Sequence, residues 1–576
     1  MSTMILPGTY IDVLSEGLIA PGQITVGNLG VVGTASKGTI GKPTLISSYN
    51  DALAIFGPYD SYMDPTDPTK RRANSLTLVR ALELAFGSGA TTVYAVRVGD
   101  ANAKSATATL NSAGGPCVTL TADSEGTWGN SITVGVGTPL AADNLINTET
   151  LTLSAGDAVA KKVGLAENSA ESSRNRVSIR KLDGSTVAKT IVKAAPAAGE
   201  AQFSANSLLF GDTLDADTVV TATYKVDPAA VVKVTVTLDA LTETYLATDG
   251  NSVVKAIMDA QTGSSIVSAA IAANSGQLPT APQNVAFKSG ANGEANADYN
   301  DPVKGFNTLL DVDAHIIVAA GQTHIQVGAA LDAHCQRAST DTYKRDRIAV
   351  VGSDFAKKAL TPPLSADDAV VYVDTLVGNT LASDRVILIA PGMKASSAAK
   401  EDAALNPIVL PGAYTAAVIA GMLAGMDAHI SLTNKPVVGI PALEIIFNNA
   451  QLTELVQNRV TAIEVNQGIR VLRGQTTDIG AFREITTRRI VDYAKYGVRS
   501  AAQPYIGLLN NDRVRGALRA TLNSFLQGML DSEMLVDYTI EVTATRPQQI
   551  AGIVQVTLSL QPVFSINFIH VTMILS

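Results

Sequence analysis

From about residue 291 onward, short runs of consecutive aliphatic and β-branched residues alternate with stretches of helical spacing, and this alternation constrains the fold more than any other feature of the chain. The runs are AHIIVA (Ala314–Ala319), RIAVV (Arg347–Val351) and RVILIA (Arg385–Ala390). Around them, Asp301–Leu310, Thr323–Arg337 and Ser365–Leu376 carry apolar residues three and four apart, which predicts helices. Strands of five or six residues that are apolar at nearly every position are buried on both faces. They require a mixed, mostly parallel sheet with helices on either side. The same texture occurs before residue 100, with strands at Ile24–Gly33 and Thr92–Val98 and helices at Tyr49–Phe56, capped by Ser48 or Asn50, and Leu76–Phe86. Tyr414–Met426, rich in Ala and Gly, reads as a covering helix that packs closely.

Between these two α/β stretches the pattern changes. Thr, Val, Ala, Ser and Gly dominate from about 101 to 290, and Val231–Leu238 (VVKVTVTL) alternates at period two, as do Ser131–Val136 and Val220–Val226. Short strands separated by Asp, Gly and Asn turns predict antiparallel sandwiches or barrels. Such an insertion is tolerated at an exposed loop, on the outer side of the molecule. The expected organisation is therefore an extended arm (1–23), a discontinuous α/β core (24–100 and 291–456), β-rich inserted outer domains (101–290), an α+β C-terminal domain (457–561) and a terminal strand arm (562–576). In the C-terminal domain, Ile485–Ala501 and Asp512–Met529 read as helices, with Asn510 or Asn511 capping the second. Glu541–Ala544 and Ile553–Leu560 alternate as strands.

Charge and composition narrow the function. Charged residues are only 16% of the chain against 46% apolar, which excludes disorder and predicts surface hidden against further copies. A net charge of −9 argues against a general nucleic-acid binder. Gln457–Ala520 nevertheless carries eleven Arg or Lys against five Asp or Glu, a candidate face for an acidic partner, although a solvated helix face is the plainer reading. Cys117 and Cys335 make neither a disulfide framework nor a zinc pattern. The first basic residue is Lys37, so the basic start of a signal peptide is missing, and Tyr414–Met426 is shorter than the ~20 residues of a membrane span. A soluble protein made in a cytoplasm is expected.

An α/β core invites a search for catalytic chemistry. GTASKGT (Gly33–Thr39) with Gly41–Lys42 fails as a phosphate loop, because Pro43 stands where a magnesium-binding Ser or Thr is needed. No GxSxG elbow occurs, and Leu140 takes the last glycine position of the GxGxxG start at Gly135–Gly137. The short spacings among His315, His324, His334, His429 and His570 are nine and ten residues, which do not stack on one helix face. Asp311 with Asp313, and Asp367 with Asp368, read as helix caps rather than acid pairs. No catalytic residue, metal ligand or cofactor is expected.

Both ends carry strand-like segments with no partner nearby in sequence. PGTYIDVLSEG (Pro7–Gly17) alternates, and FIHVTMIL (Phe568–Leu575) is β-prone. Unpaired strands are liabilities. They either pair within their own domain or are donated to neighbouring molecules by β-augmentation, and both readings stay open.

Several phrases taken in order add to this. PGTYIDV (Pro7–Val13), GVVGTASKGTIGKPTLISSYNDALAIFG (Gly30–Gly57), VYAVRV (Val93–Val98) and EGTWGN (Glu125–Asn130) occur in the first part of the chain. NQGIRVLRGQTT (Asn466–Thr477), FREITTRRIVDYAKYGV (Phe482–Val498), NND (Asn510–Asp512) and PVFSINFIHVTMIL (Pro562–Leu575) follow in the last. The set resembles the tail sheath proteins of contractile bacteriophages, which are similar to the sheaths of contractile injection systems. DAHISLTNK (Asp427–Lys435) departs from the family's pattern, and the middle of the insertion matches nothing in it. The resemblance implies a structural subunit that stacks as hexameric rings around a tail tube and contracts to drive the tube through the host envelope for genome delivery. Its partners would be further copies, the tube protein, and baseplate and terminator proteins, with no nucleic acid, membrane insertion or cofactor. Its place would be a virion tail assembled in the bacterial cytoplasm. The resemblance also implies that Thr9, Tyr10, Ile11, Asp12 and Val13, and Phe568, Ile569, His570, Val571, Thr572, Met573 and Ile574, are arms pairing with neighbours. It places the C-terminal domain innermost, so Arg513, Arg515 and Arg519 are tube-facing candidates, with Arg488 and Arg489 competing. A bacterial injection-system sheath is the alternative, and an α/β enzyme with a β-rich accessory domain is the alternative from a different class.

Overall fold

In a computed structural model, which describes residues 27–62, 75–139, 146–165, 168–356, 366–399, 402–403 and 406–574, the aliphatic runs become neighbouring strands of one sheet. Its elements in chain order are β1 (Leu29–Thr34), β2 (Thr44–Ile46), α1 (Tyr49–Phe56), α2 (Leu78–Gly87) and β3 (Val93–Val98). After the insertion come β4 (Ile316–Thr323), α3 (His324–Ala338), β5 (Ile348–Gly352), α4 (Ala366–Val377), β6 (Val386–Ala390), α5 (Gly412–Ala424), α6 (Asn449–Gln457), β7 (Val460–Val465) and β8 (Ile469–Val471). The strand order is β2-β3-β1-β4-β5-β6-β7-β8. The six inner strands are parallel, and β2 and β8 close the edges antiparallel.

Two-sided burial follows from the sequence. Leu29 and Val31 of β1 face a core shared with Leu78 and Leu82 of α2 and Tyr414 and Ile419 of α5. Val32 faces the opposite core with Val327 and Leu331 of α3, Tyr372 of α4 and Leu455 of α6. Helix starts are set by local chemistry: Ser48 accepts the amide of Asp51, and Thr323 and Gln326 form a reciprocal capping box. Helix α5 is buried almost all round, and its small residues permit that, since a Cβ on Gly421 would lie 2.3 Å from the Ala85 carbonyl of α2.

One expected helix is not formed. Asp301–Leu310 makes one capped turn, in which the Asp301 carboxylate accepts the amides of Val303 and Lys304 and its carbonyl that of Gly305, and then breaks at Gly305, whose φ of −102° and ψ of −144° are not helical, leaving only a 3₁₀ turn at Phe306–Leu309. The strand expected in Pro7–Gly17, with Thr9–Val13, lies outside the described residues, as do Leu575 and Ser576.

Residues Asn102–Asn292 form a compact unit of their own. A four-stranded sheet (Leu241–Ala247, Val232–Leu238, Thr133–Gly137, Gln283–Ala286) and a three-stranded one (Val267–Ile271, Gly115–Ala122, Thr107–Ser112) share one core with the helix Gly250–Ile257. Strands between Ile146 and Val226 build a second, mixed sheet around Ile179, Leu208 and Tyr224. Lys104 and Ala291 exchange backbone hydrogen bonds, so the chain enters and leaves this unit side by side. The fold is thus an α/β core, a β-rich inserted unit and an α+β C-terminal part.

Two outcomes check this account. Gly421→Val should lower unfolding free energy by about 1–3 kcal/mol in urea melts, because the new side chain meets backbone that cannot move aside. Glu444 is buried, accepts the Ala356 amide at 2.9 Å, and is pushed by burial from its ordinary 4.5 up to about 7. The folded state therefore keeps this proton to higher pH than the unfolded one, and its contribution is full below pH 4.5 and lost as pH rises through 7. Glu444→Gln should accordingly be more stable than the parent at pH 8 and close to it at pH 4.5.

Candidate assembly interface

The C-terminal segment adds α7 (Ile485–Ala502), α8 (Asp512–Asp531) and an antiparallel hairpin, β9 (Leu535–Thr543) with β10 (Gln555–Pro562). Asn511 caps α8 by accepting the Val514 amide at 2.9 Å. The helices cross closely where Phe525 of α8 stacks on Tyr493 and lies over Gly497 of α7.

The hairpin is amphipathic at period two. Tyr538, Ile540 and Val542 of β9, with Val556, Leu558 and Leu560 of β10, pack against Ile490, Ala494 and Val498 of α7 and Leu522, Phe525 and Leu526 of α8. Thr539, Glu541, Thr543, Thr557, Ser559 and Gln561 face outward. Among the described residues neither outer edge of this two-stranded sheet is paired. An isolated hairpin is marginal in water; this one is held by its helices and still presents two rows of backbone donors and acceptors.

The chain beyond β10 does not cover those edges. The Val563 amide donates to Met534 O at 3.2 Å, and residues 563–574 then run without secondary structure. The strand expected at Phe568–Leu575 is not formed over the described residues 568–574. Its apolar side chains stand in solvent, from Phe564 at 66% exposure to Ile574 at 88%, with Phe568, Ile569, Val571 and Met573 between and His570 and Thr572 exposed beside them. Asn567 reaches Glu484 at 3.4 Å, and the Arg473 guanidinium lies 6.0 Å from the Phe568 ring.

The cationic segment separates into two groups. Arg513 and Arg519 are exposed on α8, and Arg515 is half-buried, bonded to Asn510 and paired with Asp512. At ~100° per residue, Arg513 and Arg519 stand about 120° apart around the helix, so they do not form one row. Arg488 and Arg489 correct the sequence reading, because both are buried inside the subunit. Arg488 pairs with Asp384 at 2.9 Å and Asp492 at 2.6 Å, and lies 4.3 Å over the Phe482 ring. Arg489 donates to the carbonyls of Leu423, Met426 and Asp427 at the C-terminal end of α5, where helix carbonyls lack internal partners.

These arginines belong to a buried charge seam that the sequence reading missed. Arg385, just before β6, bonds Asp492 at 2.9 Å and Asp346 at 3.3 Å. Asp346, just before β5, is fully buried and is also bound by Lys495 and Arg499 of α7. Burial alone would raise its pKa, but those two cations outweigh burial and hold it below the usual carboxylate range. Asp492 goes the other way, raised by burial against the pull of Arg385 and Arg488. The signal available in the sequence was the Asp-Arg pair at the head of each strand, Asp346–Arg347 and Asp384–Arg385.

Two of the histidines, His334 and His315, are packed inside the subunit. His334 faces the Arg347 guanidinium at 3.1 Å and is lowered by burial and that charge to about 3. His315 packs edge-on against Tyr496 and is lowered by burial to about 4. Among the described residues no three His, Cys, Asp or Glu side chains are grouped to hold a metal ion.

An amphipathic hairpin with open edges beside an uncovered apolar arm is built for assembly. The phage tail sheath protein central domain matches residues 292–477, and the phage tail sheath C-terminal domain matches 478–576. The chain belongs to the contractile tail sheath family. It is a structural protein. Sheath tail proteins from Desulfitobacterium hafniense and Listeria innocua share its fold, with TM-scores of 0.55 and 0.57, each at 14% identity. The matches cover 96% of this chain and 100% and 95% of theirs. The PVC sheath complex of an extracellular contractile injection system, in its contracted state, aligns at TM-score 0.47 and 12% identity over 100% of this chain and 98% of that one. No curated protein matches.

The charge seam makes a contrast that can be measured. Asp492→Ala leaves Arg385 and Arg488 short of a buried partner and should cost about 3 kcal/mol, at the low end for such a break because Asp346 and Asp384 remain. Arg519→Glu, on the exposed helix surface, should change stability by less than about 0.5 kcal/mol in the same melts.

Proposed function

We propose that this chain is the sheath subunit of a contractile machine, stacked as hexameric rings around a tube and knitted together by strands donated between subunits. The observation that carries the proposal is the pairing of two unmet needs on one subunit. The β9–β10 hairpin has open backbone edges, and the arm beyond it carries apolar residues that its own body does not cover. A second copy supplies what each lacks. The N-terminal residues Thr9–Val13 are the other proposed donor, on the strength of the family resemblance.

On this reading the hairpin lies on the inner side, with Arg513 and Arg519 offered to an acidic tube surface. Exposed pairs of this kind are worth ~0.2–1 kcal/mol each, which suits a contact that must release during contraction. Work would come from better subunit contacts in the shortened state, with no nucleotide needed. Baseplate and terminator proteins would bound the stack. The machine served is a phage tail that delivers a genome or the related injection apparatus of a bacterium.

Negative-stain microscopy of the full chain and of a chain ending at Gln561 tests the assembly role. The full chain should form rings or tubes, and the shortened one should stay a folded monomer. Well-formed tubes from the shortened chain would remove the arm as a donor. Reversing the charges of Arg513, Arg515 and Arg519 to Glu should reduce co-sedimentation with tube several-fold at physiological salt, and unchanged binding would place the tube contact elsewhere.

A further inference from the structure

The arm is not one strand but two half-strands of opposite phase. In β10 the inward residues are Val556, Leu558 and Leu560, all at even positions. The same parity continues past the end of the strand: Phe564, Ile566 and Phe568 are apolar, and Ser565 and Asn567 between them are polar. At Phe568–Ile569 two large apolar residues stand side by side and the phase inverts. From there the apolar residues are odd, Ile569, Val571, Met573 and Leu575, alternating with His570, Thr572, Ile574 and Ser576, of which only Ile574 is out of pattern.

Side chains of a β-strand alternate strictly, and a shift of one residue exchanges its two faces. A continuous strand through 563–575 would therefore turn one half's apolar residues to the core and the other half's to water. A break or bulge at the inversion is needed for both to be used. The apolar side chains of both halves stand largely in solvent, Phe564, Ile566 and Phe568 no less than Ile569, Val571 and Met573, but the bonds to the subunit's own body are confined to the first half. The proximal half is tied to its own body through Val563 to Met534, Asn567 to Glu484 and Phe568 beside Arg473. Phe568 lies at a groove of about 590 Å³ between α6 and β8, where Leu452, Val456 and Leu472 offer apolar wall. Residues 569–574 are exposed throughout.

Resting on the assembly role proposed above, we infer that the donated strand begins at Ile569, with Ile569, Val571 and Met573 turned into a second copy's helix-backed hairpin and His570 and Thr572 turned out, while Val563–Phe568 stays with the parent subunit as its tether. The match to the acceptor is chemical as well as geometric. The hairpin is aliphatic toward α7 and α8 and carries Thr, Ser, Glu and Gln on the outer face, the alternation that the distal half repeats.

The experiment compares, in the full chain, Ile569→Ser/Val571→Ser/Met573→Ser with His570→Ser/Thr572→Ser, reading the concentration at which tubes form by sedimentation. These residues are solvent-exposed in the subunit, so both variants should melt like the parent. The odd-position variant should raise the assembly concentration by more than about tenfold, from three lost apolar burials, and the even-position variant should leave it unchanged. A serine inserted between Phe568 and Ile569 falls at the break and should be tolerated. Equal sensitivity at odd and even positions, sensitivity at the even positions alone, or loss of assembly on that insertion would overturn the two-phase arm. The chain ending at Gln561 separates the causes. If it assembles, the donor role itself fails. If it does not assemble while the odd-position variant does, only the phase assignment fails.

Discussion

The geometry of the C-terminal part depends on a seam of buried charge. Asp346 and Arg385 stand at the heads of adjacent parallel strands, and α7 brings Arg488, Asp492, Lys495 and Arg499 down onto them. Arg489 fastens the same helix to the end of α5. Ion pairs taken out of water add little net stability, because desolvation offsets most of their attraction. They are demanding about position, since a displaced partner leaves a charge buried alone. The seam thus fixes the orientation of α7 at the heads of these inner strands more than it strengthens the fold. The hairpin lies on α7 and α8, so its open edges inherit that orientation, and a pull on a strand added there is carried into the α/β core.

Much of the core was legible in the sequence because parallel strands buried on both faces leave uninterrupted apolar runs. RVILIA gave Val386–Ala390, RIAVV gave Ile348–Gly352, and of the alternative caps Ser48 and Asn511 stand at their helix starts. Local geometry also explains the miss at Asp301–Leu310, where the turn capped by Asp301 is cut short by the non-helical backbone of Gly305. The buried seam was not legible. The count of cations between Gln457 and Ala520 is correct, but Arg488 and Arg489 find their partners in Asp384 and in carbonyls of residues 423–427. A one-dimensional charge tally cannot distinguish a basic face from cations answered far along the chain. The same limit holds for the arm. Its β-prone pattern is plain in sequence, while the absence of a strand partner among the described residues is a fact of three-dimensional placement.

Edge strands are usually protected by charge, brevity or cover. Here the hairpin's exposed face is polar, its two edges are unpaired among the described residues, and the arm keeps large apolar residues in water. In a monomer both features favour aggregation. In the proposed assembly each would satisfy the other through main-chain hydrogen bonds. A low charge content and an inserted unit with its own two cores are compatible with a subunit surrounded by copies on several sides.

The central claim is that subunits are joined by strands passed from one copy to the next. Electron cryomicroscopy of tubes assembled from the full chain, at a resolution that traces the backbone, tests it most directly. The account predicts residues 569–574 of one subunit hydrogen-bonded along an outer edge of another subunit's β9–β10 hairpin, with Ile569, Val571 and Met573 toward that subunit's α7 and α8. An arm folded back onto its own hairpin, or subunits joined with no strand crossing between them, would contradict it.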